Sequence, residues 1–506
     1  MSHNSLLRSI LLTSSLTMIA GAAIAQEAKR PNFLFILADD QDAATLGAYG
    51  DTYVDTPNLD ELAKNGVTLT RAHQMGSYVG AVSTASRTMM MTGRNVWQAM
   101  QVQKNQNKYE NPCGNADIVS EDAPEYNSLP ALFHRAGYHT FRTCKMGNSY
   151  NAANVLFDER YDKTNRGDTD ENGSKWHADH VIRYFEERAA DSSEDKKPFF
   201  VYFGFSYPHD PRNGKPELLE KYGASNIAEP TEVNDKMPPL PINYLPEKQF
   251  HDGHPNLRDE VAVKGVMTRR DEATIRNEKG KEAACIEDID TQVGRVLEAL
   301  EATGELDNTY IIYTADHGIA VGKHAYMGKQ NLFNHCFRVP FIVSGPGVLK
   351  NKYREGNIYL MDMLPTVLDL AGIETPDVID GKSFKGVLEG DEKIIRDVMY
   401  GTYCGGTKPG IRTVVKGDWK LIKYDVLDGT VRETLLFNLK DNPNELMIEH
   451  HAQEVVKLTG NKPKAKQVNL ADNPKYAKKL AEMEALLLEQ MIEVGDPYRL
   501  WNQPQE

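Results

Sequence analysis

Cysteine is scarce in this chain: 506 residues hold five, Cys113, Cys144, Cys285, Cys336 and Cys404. They form an odd set without metal-ligand spacing, so a cysteine-built metal site is excluded and two disulfides are the most that could form, with no pairing assigned. Positive charge is also in deficit. Lys and Arg number 58 against 72 Asp and Glu, a formal net charge of −14. No Lys/Arg block is present that could neutralise a phosphate backbone, which argues against a nucleic-acid partner. Any attraction for an anionic substrate must therefore come from local groups. Internal repeats and low-complexity tracts are missing, and beyond the N-terminus no stretch is apolar enough to span a bilayer.

What the chain does have is size. With 40% hydrophobic residues it can bury a large core, and a length above about 300 residues usually means more than one domain. The first 25 residues read as a signal peptide. Arg8 precedes the apolar run from Ile10 to Ile24, and Ala23 and Ala25 form an A-x-A cleavage site before Gln26. The run is too short and too interrupted by Thr13, Ser14 and Ser15 for a membrane anchor, and no lipobox cysteine is present. The expectation is a periplasmic or secreted protein without a membrane anchor in its mature form.

The first two-thirds alternate strand and helix. Asn32–Ala38 is a continuous apolar run of the kind a central parallel strand needs. Thr56-Pro57 starts a helix that Gly66 closes, and Phe199–Phe205, Thr309–Thr314 and Phe341–Val343 read as further strands. Ala283–Thr303 is apolar at helical spacing. Between Pro211 and Arg276 the pattern gives way to Pro-rich, charged sequence, which is either a surface excursion or a wall of the active site. After Gly381 short strands are expected at Asp397–Tyr403, Ile411–Val415, Trp419–Tyr424 and Thr434–Leu439. An amphipathic helix follows from Tyr476 to Glu493. The fold class is α/β: a large, mostly parallel mixed sheet covered by helices, with a smaller C-terminal α+β domain on an antiparallel sheet. The expected division is a signal peptide over 1–25, a catalytic domain over 26–388 and the smaller domain over 389–506.

Three clusters carry chemistry. In Gly80–Arg94 a small-residue turn leads into an apolar helix that stops at Gly93. Ser83 lies at its start, where free N–H groups favour an anion, and Arg87 projects one turn on from the same face. Alone, that pentapeptide is as ordinary as an N-cap serine with a surface arginine. Asp39-Asp40 follows the first strand and Asp316-His317 follows the Thr309–Thr314 strand. Ligands bind outside the carboxyl ends of strands in open α/β sheets, so the two pairs can converge. Three carboxylates and one further ligand make a hard site suited to Ca²⁺, with Mg²⁺ second. Finally, His209 in Pro208-His209-Asp210-Pro211 is held just beyond a buried strand.

These residues resemble the type I sulfatase family, of the alkaline-phosphatase-like superfamily. Ser83-x-Ala85-x-Arg87 with Thr92-Gly93-Arg94 is similar to its signature, Cys/Ser-x-Pro/Ala-x-Arg followed by Thr-Gly-Arg. The resemblance implies that Ser83 is oxidised to formylglycine, whose hydrate is a gem-diol, and serine in place of cysteine implies a radical-type maturation enzyme acting before export. It implies a metal held by Asp39, Asp40, Ser83, Asp316 and His317, with His317 standing where Asn is a common alternative. It also implies that His209 contacts the sulfated oxygen and that Lys329, in Gly328-Lys329, binds sulfate. Lys145 is carried over from Gly-Lys-Trp-His-x-Gly, but Cys144-Lys145-Met146-Gly147-Asn148 keeps only the Lys. Asn148, His177 or His324 would then stand in for the missing histidine. Leu364-Pro365-Thr366, Asp380-Gly381-Lys382-Ser383 and Trp419-Lys420-Leu421 also resemble family patterns, so the similarity spans nearly the whole mature chain.

A plain serine would be left as a stable serine sulfate, whereas a gem-diol can expel sulfate and return to the aldehyde. In this reading Ser83 supplies the nucleophile, Arg87 neutralises charge, Lys145 and Lys329 clamp sulfate oxygens, and His209 exchanges the proton. The expectation is an exported sulfatase acting on a sulfated carbohydrate. Two alternatives differ in class: a phosphatase or phosphodiesterase using unmodified Ser83, and a non-catalytic sulfated-glycan binding protein.

Overall fold

The computed structural model describes residues 29–105, 116–193, 196–226, 230–246 and 269–504. The expected signal peptide and Cys113 lie outside the described residues, as does most of the second half of the 211–276 excursion. The four described cysteines are buried, and none forms a disulfide with another described residue. Among the described residues, no helix is long and apolar enough to cross a membrane.

An eight-stranded sheet organises the chain. Its strands are β1 (Asn32–Asp39), β2 (Gly66–Leu69), β3 (His139–Cys144), β4 (Glu159–Asp162), β5 (Phe199–Pro208), β6 (Thr309–Ala315), β7 (Phe341–Ser344) and β8 (Lys352–Arg354). They lie in the order β8-β2-β7-β6-β1-β5-β3-β4, and only β7 runs against its neighbours. At the centre, β1 is buried along its whole length. Phe33, Phe35 and Leu37 enter the core on one face and Leu34, Ile36 and Ala38 the core on the other. That alternation is why β1 reads as a continuous apolar run: both faces of a central parallel strand are covered.

Helix α1 (Pro57–Lys64) begins at the expected proline and is over before Gly66, which already belongs to β2. Helix α2 (Val82–Thr92) ends at Gly93, which takes the left-handed conformation that an L side chain resists. Of its eleven residues only Thr84 is not buried. Helix α3 (Ser174–Ala190) and helix α4 (Glu272–Ala302) pack together over one face of the sheet.

Helix α4 corrects the sequence reading. It starts eleven residues before Ala283, with the Asp271 carboxylate accepting from Thr274 N–H at 2.9 Å. Its first three turns bury Asn277, Glu278, Lys281 and Glu282 beside only Ala273 and Ile275 as aliphatic residues. Glu278 is paired with Lys281 at 2.8 Å and Arg212 at 3.4 Å. An apolar periodicity cannot reveal a helix face that is buried through ion pairs.

The second sheet is antiparallel: β9 (Val398–Tyr403), β10 (Gly410–Lys416), β11 (Trp419–Val426) and β12 (Val431–Asn438), all near their expected positions. Helix α5 (Ala477–Glu493) lays Met483, Leu487 and Met491 on it, with Leu480 and Leu486 half-buried beside them. The short strand Gly76–Ser77, just ahead of α2, joins this sheet alongside β9. Gly76 is required there, since its φ is +103° and a Cβ would stand 1.7 Å from the Thr402 carbonyl oxygen.

His177 on α3 illustrates the cost of burying a titratable group in this core. It is fully buried, its Nδ1 lies 2.8 Å from Thr143 Oγ1, and burial pulls its pKa down to about 3. An unfolded histidine titrates near 6.5. Between those values the unfolded chain binds a proton that the folded chain refuses, so stability falls as pH drops through this window, by up to about 1.4 kcal/mol per pH unit for each such histidine. The urea midpoint should fall steeply between pH 6.5 and 4, and His177→Gln should make that slope shallower.

Candidate active site

The carboxyl ends of β1, β5 and β6 are adjacent, and the chain leaves each of them at a polar residue. Register delivers them to one place. Leu37 pairs with Gly204 but Asp39 pairs with Pro208, so β5 carries two extra residues at its end and His209 emerges beside Asp39 and Asp40. On the other side Ala38 pairs with Ala315, which sets Asp316-His317 opposite Asp39-Asp40. Asp40 sits at φ +65°, a left-handed conformation costly for a non-glycine residue. It is held there by its N–H donating to Asp316 Oδ1 at 3.0 Å and by Gln41 N–H donating to the His317 carbonyl at 2.9 Å. Gly318 must be glycine, because a Cβ would lie 2.0 Å from the His335 carbonyl oxygen.

Helix α2 brings Ser83 and Arg87 under these strand ends. Arg87 is wholly buried; its Nε donates to Asp316 Oδ2 at 2.9 Å and its Nη2 to Asp39 Oδ1 at 3.2 Å, so one guanidinium joins two strands. Its Nη1 donates to Cys144 Sγ at 2.9 Å. Ser83 Oγ lies 3.1 Å from His317 Nε2 and accepts from Lys145 Nζ at 3.2 Å. Lys145 also pairs with Asp39, and Lys329 with Asp40. His209 Nε2 is 3.6 Å from Asp40 Oδ2. The structure thus brings together all nine expected site residues: Asp39, Asp40, Ser83, Arg87, Lys145, His209, Asp316, His317 and Lys329. It does not bring in the three candidates for the missing histidine. His177 bonds Thr143 and Ser206, His324 stacks on Phe333, and Asn148 is exposed.

Burial works against every charge in this cluster, and the charges hold one another. Desolvation would raise the Asp40 carboxyl, but His209, His317 and Lys329 keep it well below the usual carboxylate range. Asp316 is likewise raised by burial and lowered further by His317, Arg87 and Lys145. Lys145 goes the other way: burial lowers the ammonium despite Asp39. A lysine that is costly to keep charged gains most from a second anion.

Two residues were invisible to sequence reasoning. Arg166, on the loop after β4, donates from Nη2 to Asp39 Oδ2 at 3.1 Å, from Nε to the Ser206 carbonyl at 2.9 Å and from Nη1 to the Asp210 carbonyl at 2.8 Å. No motif surrounds it. Asp210 is fully buried with Oδ1 3.0 Å from His209 Nδ1, and its adjacency to His209 was the available signal.

The donor set suits a hard divalent cation. Asp39, Asp40 and His209 have ligand atoms within 4.8 Å of one another, as do Asp40, Asp316 and His317. His317 Nε2 is 2.9 Å from Asp40 Oδ1 as well as 3.1 Å from Ser83 Oγ. Separations near 3 Å are the edges that ligands at about 2.0–2.4 Å from one ion present to each other. Both groups share Asp40, so they describe a single locus.

A family model described as Sulfatase matches residues 31–373, and one described as N-sulphoglucosamine sulphohydrolase, C-terminal, matches residues 322–484. The chain belongs to the sulfatase family. It is a sulfuric ester hydrolase. An N-acetylglucosamine-6-O-sulfatase of Bacteroides thetaiotaomicron is 25% identical over 93% of this chain and 88% of its own length. An arylsulfatase of Clostridium perfringens is 25% identical over 82% of this chain and 89% of its own. A solved structure described as a complex with the substrate D-glucosamine-2-N,6-O-disulfate shares the fold, with a TM-score of 0.67 and 21% identity over 93% of this chain and 99% of that one.

In this sulfatase, Arg87→Met should leave Asp39 and Asp316 facing each other in a dry site. Removing one partner of a buried ion pair costs about 3–5 kcal/mol. A marked fall in the urea midpoint is expected, together with loss of turnover, whereas Lys64→Met at an exposed pair should leave the midpoint within error.

Proposed function

We propose that this chain is an exported, periplasmic or secreted sulfatase that removes sulfate from a carbohydrate, using formylglycine generated at Ser83 by a radical-type maturation enzyme before export. The observation that carries the reading is the position of Ser83 Oγ, buried at the start of α2 between His317 Nε2 and Lys145 Nζ and one helical turn from Arg87. Asp39, Asp40, Asp316, His317 and the oxygen at position 83 would hold one Ca²⁺, with Mg²⁺ second. Such an ion lowers the pKa of an oxygen nucleophile and neutralises charge developing at sulfur.

The remaining roles follow from the side chains themselves. Lys145, which donates to Ser83 Oγ, and Lys329, which pairs with Asp40, turn from their carboxylates to the sulfate oxygens, with the ammonium groups already desolvated. Arg87 stays with Asp39 and Asp316 and fixes the helix start. His209, 12% exposed at the side chain, is open to the ester oxygen and exchanges its proton. A carbohydrate substrate is supported by the relative named for an aminosugar sulfate and by the neighbour described with a disulfated glucosamine. The catalytic unit is assigned to residues 26–388 and the smaller one to 389–506.

Mass spectrometry of the peptide ending at Arg87, from protein made with a serine-type maturation enzyme, should show Ser83 lighter by the two hydrogens lost on oxidation. The same preparation should release sulfate from members of a panel of sulfated glycans. Turnover with Ser83 wholly unmodified would favour the phosphatase reading, and turnover of aryl sulfates alone would remove the carbohydrate assignment.

The metal has its own readout. Calcium added to chelator-treated protein should raise the melting temperature, since a ligand bound only by the native state stabilises it. Asp40→Asn and Asp316→Asn should abolish the rise, and elemental analysis should give one ion per chain. Two tightly bound zinc ions would defeat the single-metal assignment.

A further inference from the structure

Two residues beyond Asp40 the chain enters the wall of a second cavity, of about 470 Å³, which none of the nine site residues lines. That volume is ordinary for a small-molecule site. Its walls come from the loop after β1, the start of α4, the β6–β7 loop, the 211–276 excursion and the segment after β12. The carboxylates lining it already have partners. Asp42 pairs with Lys323, and Glu445 Oε1 lies 2.6 Å from Lys420 Nζ. Asp51 Oδ1 accepts from the N–H groups of Tyr53 and Val54 at 2.6 and 2.8 Å.

Two of the lining cations have no such partner. Lys279 on α4 and Arg338, shortly before β7, form no ion pair among the described residues; Glu282 and Asp51 act on Lys279 only through space, and Arg338 Nη2 donates to the Thr70 carbonyl. Burial pulls the pKa of both down. Desolvated cations without a counter-ion, gathered on one cavity, mark the place of an anion. The third group is His335, only 6% exposed, whose Nδ1 and Nε2 have no hydrogen-bond partner among the described residues. Burial, with Lys323 and Lys420 nearby, holds its pKa well below the usual value, so the ring is neutral. A neutral imidazole donates from one nitrogen and accepts at the other. An oxyanion offers it only acceptors, whereas a hydroxyl group offers both. Pro241 and Ile242 of the excursion add an apolar side to the cavity. Anion, hydroxyls and apolar surface occur together in an acidic sugar.

We propose that this cavity is a second carbohydrate site, which binds an anionic sugar whose sulfate or carboxylate group meets Lys279 and Arg338 and whose hydroxyls meet His335. It stands on the cavity alone, whichever ester is cleaved at Ser83, and its occupation needs no turnover there.

The test uses full-length protein in which Ser83 remains serine, so that a sulfate ester is not consumed, with the histidine ring nitrogens labelled for NMR. The His335 signals are assigned by their loss in His335→Gln. Glucose 6-sulfate, glucuronate or both should shift them saturably, and the one that does so identifies the acid group the cavity takes. Glucose, which lacks the anion, should bind about tenfold more weakly or worse. Inorganic sulfate should also bind more weakly than the sugar acid, because it satisfies the cations and not the ring. Lys279→Glu should raise the dissociation constant about tenfold or more, while the same charge change at the exposed Lys64 should alter it less than about twofold. Lys279→Met should weaken binding as well without lowering the urea midpoint, since Lys279 has no ion pair to lose. No saturable shift with either sugar acid, an unchanged constant in both Lys279 variants, or inorganic sulfate binding as tightly as the sugar acids would overturn the proposal.

Discussion

The site depends on one buried guanidinium. Arg87 donates to Asp39 at the end of β1 and to Asp316 at the end of β6, and both carboxylates are fully buried. Two buried carboxylates side by side would repel without a cation between them. A planar fork that donates from Nε and Nη2 at a fixed spacing meets both; a lysine, with a single charged atom, would have to choose. Because Arg87 is one turn from Ser83 on the same helix, the interaction that pairs the two carboxylates also sets the distance from Ser83 to them. Helix position, strand register and local charge are thereby a single constraint.

Around that constraint the fold supplies rigidity from two directions. Helix α2 is packed on nearly all sides, with Met90 and Met91 in the core of the large sheet and Met89 in that of the antiparallel sheet. Gly76–Ser77 ties the segment before α2 into the antiparallel sheet beside β9. The helix that carries Ser83 is therefore wedged between two separately built cores. The C-terminal sheet thus helps to position Ser83 without contributing a residue to the cluster.

Legibility in the sequence followed how each residue is buried. β1, β5 and β6 were readable because central parallel strands are apolar on both faces, and the polar pairs at their ends then marked the site. The first three turns of α4 were hidden, since Glu278, Lys281 and Glu282 occupy the inward face that a periodicity search expects to be aliphatic. β3 was missed for a similar reason. It buries Arg142, which stacks 4.7 Å above Tyr202 and pairs with Asp162 at 3.1 Å, so the strand reads as polar. Arg166 carries no signal of its own, because its partners are a side chain and two carbonyls gathered from β1 and β5. A contact made to backbone atoms leaves no residue-type signature in the sequence.

A formal charge of −14 poses a problem for an enzyme of sulfate esters, whose substrates are anions. The structure answers it by separating the long-range field from the local one. Within the cluster, the four cations Arg87, Lys145, Arg166 and Lys329 are paired with the three carboxylates of Asp39, Asp40 and Asp316. That pairing keeps both lysines on carboxylates that a divalent cation would claim, with Lys145 also donating to Ser83 Oγ. Under the proposed function, an ion held by these carboxylates would free the ammonium groups, already desolvated, to meet a sulfate. Attraction for an anion would then come from these local groups, and the negative charge elsewhere in the sequence would not need to change.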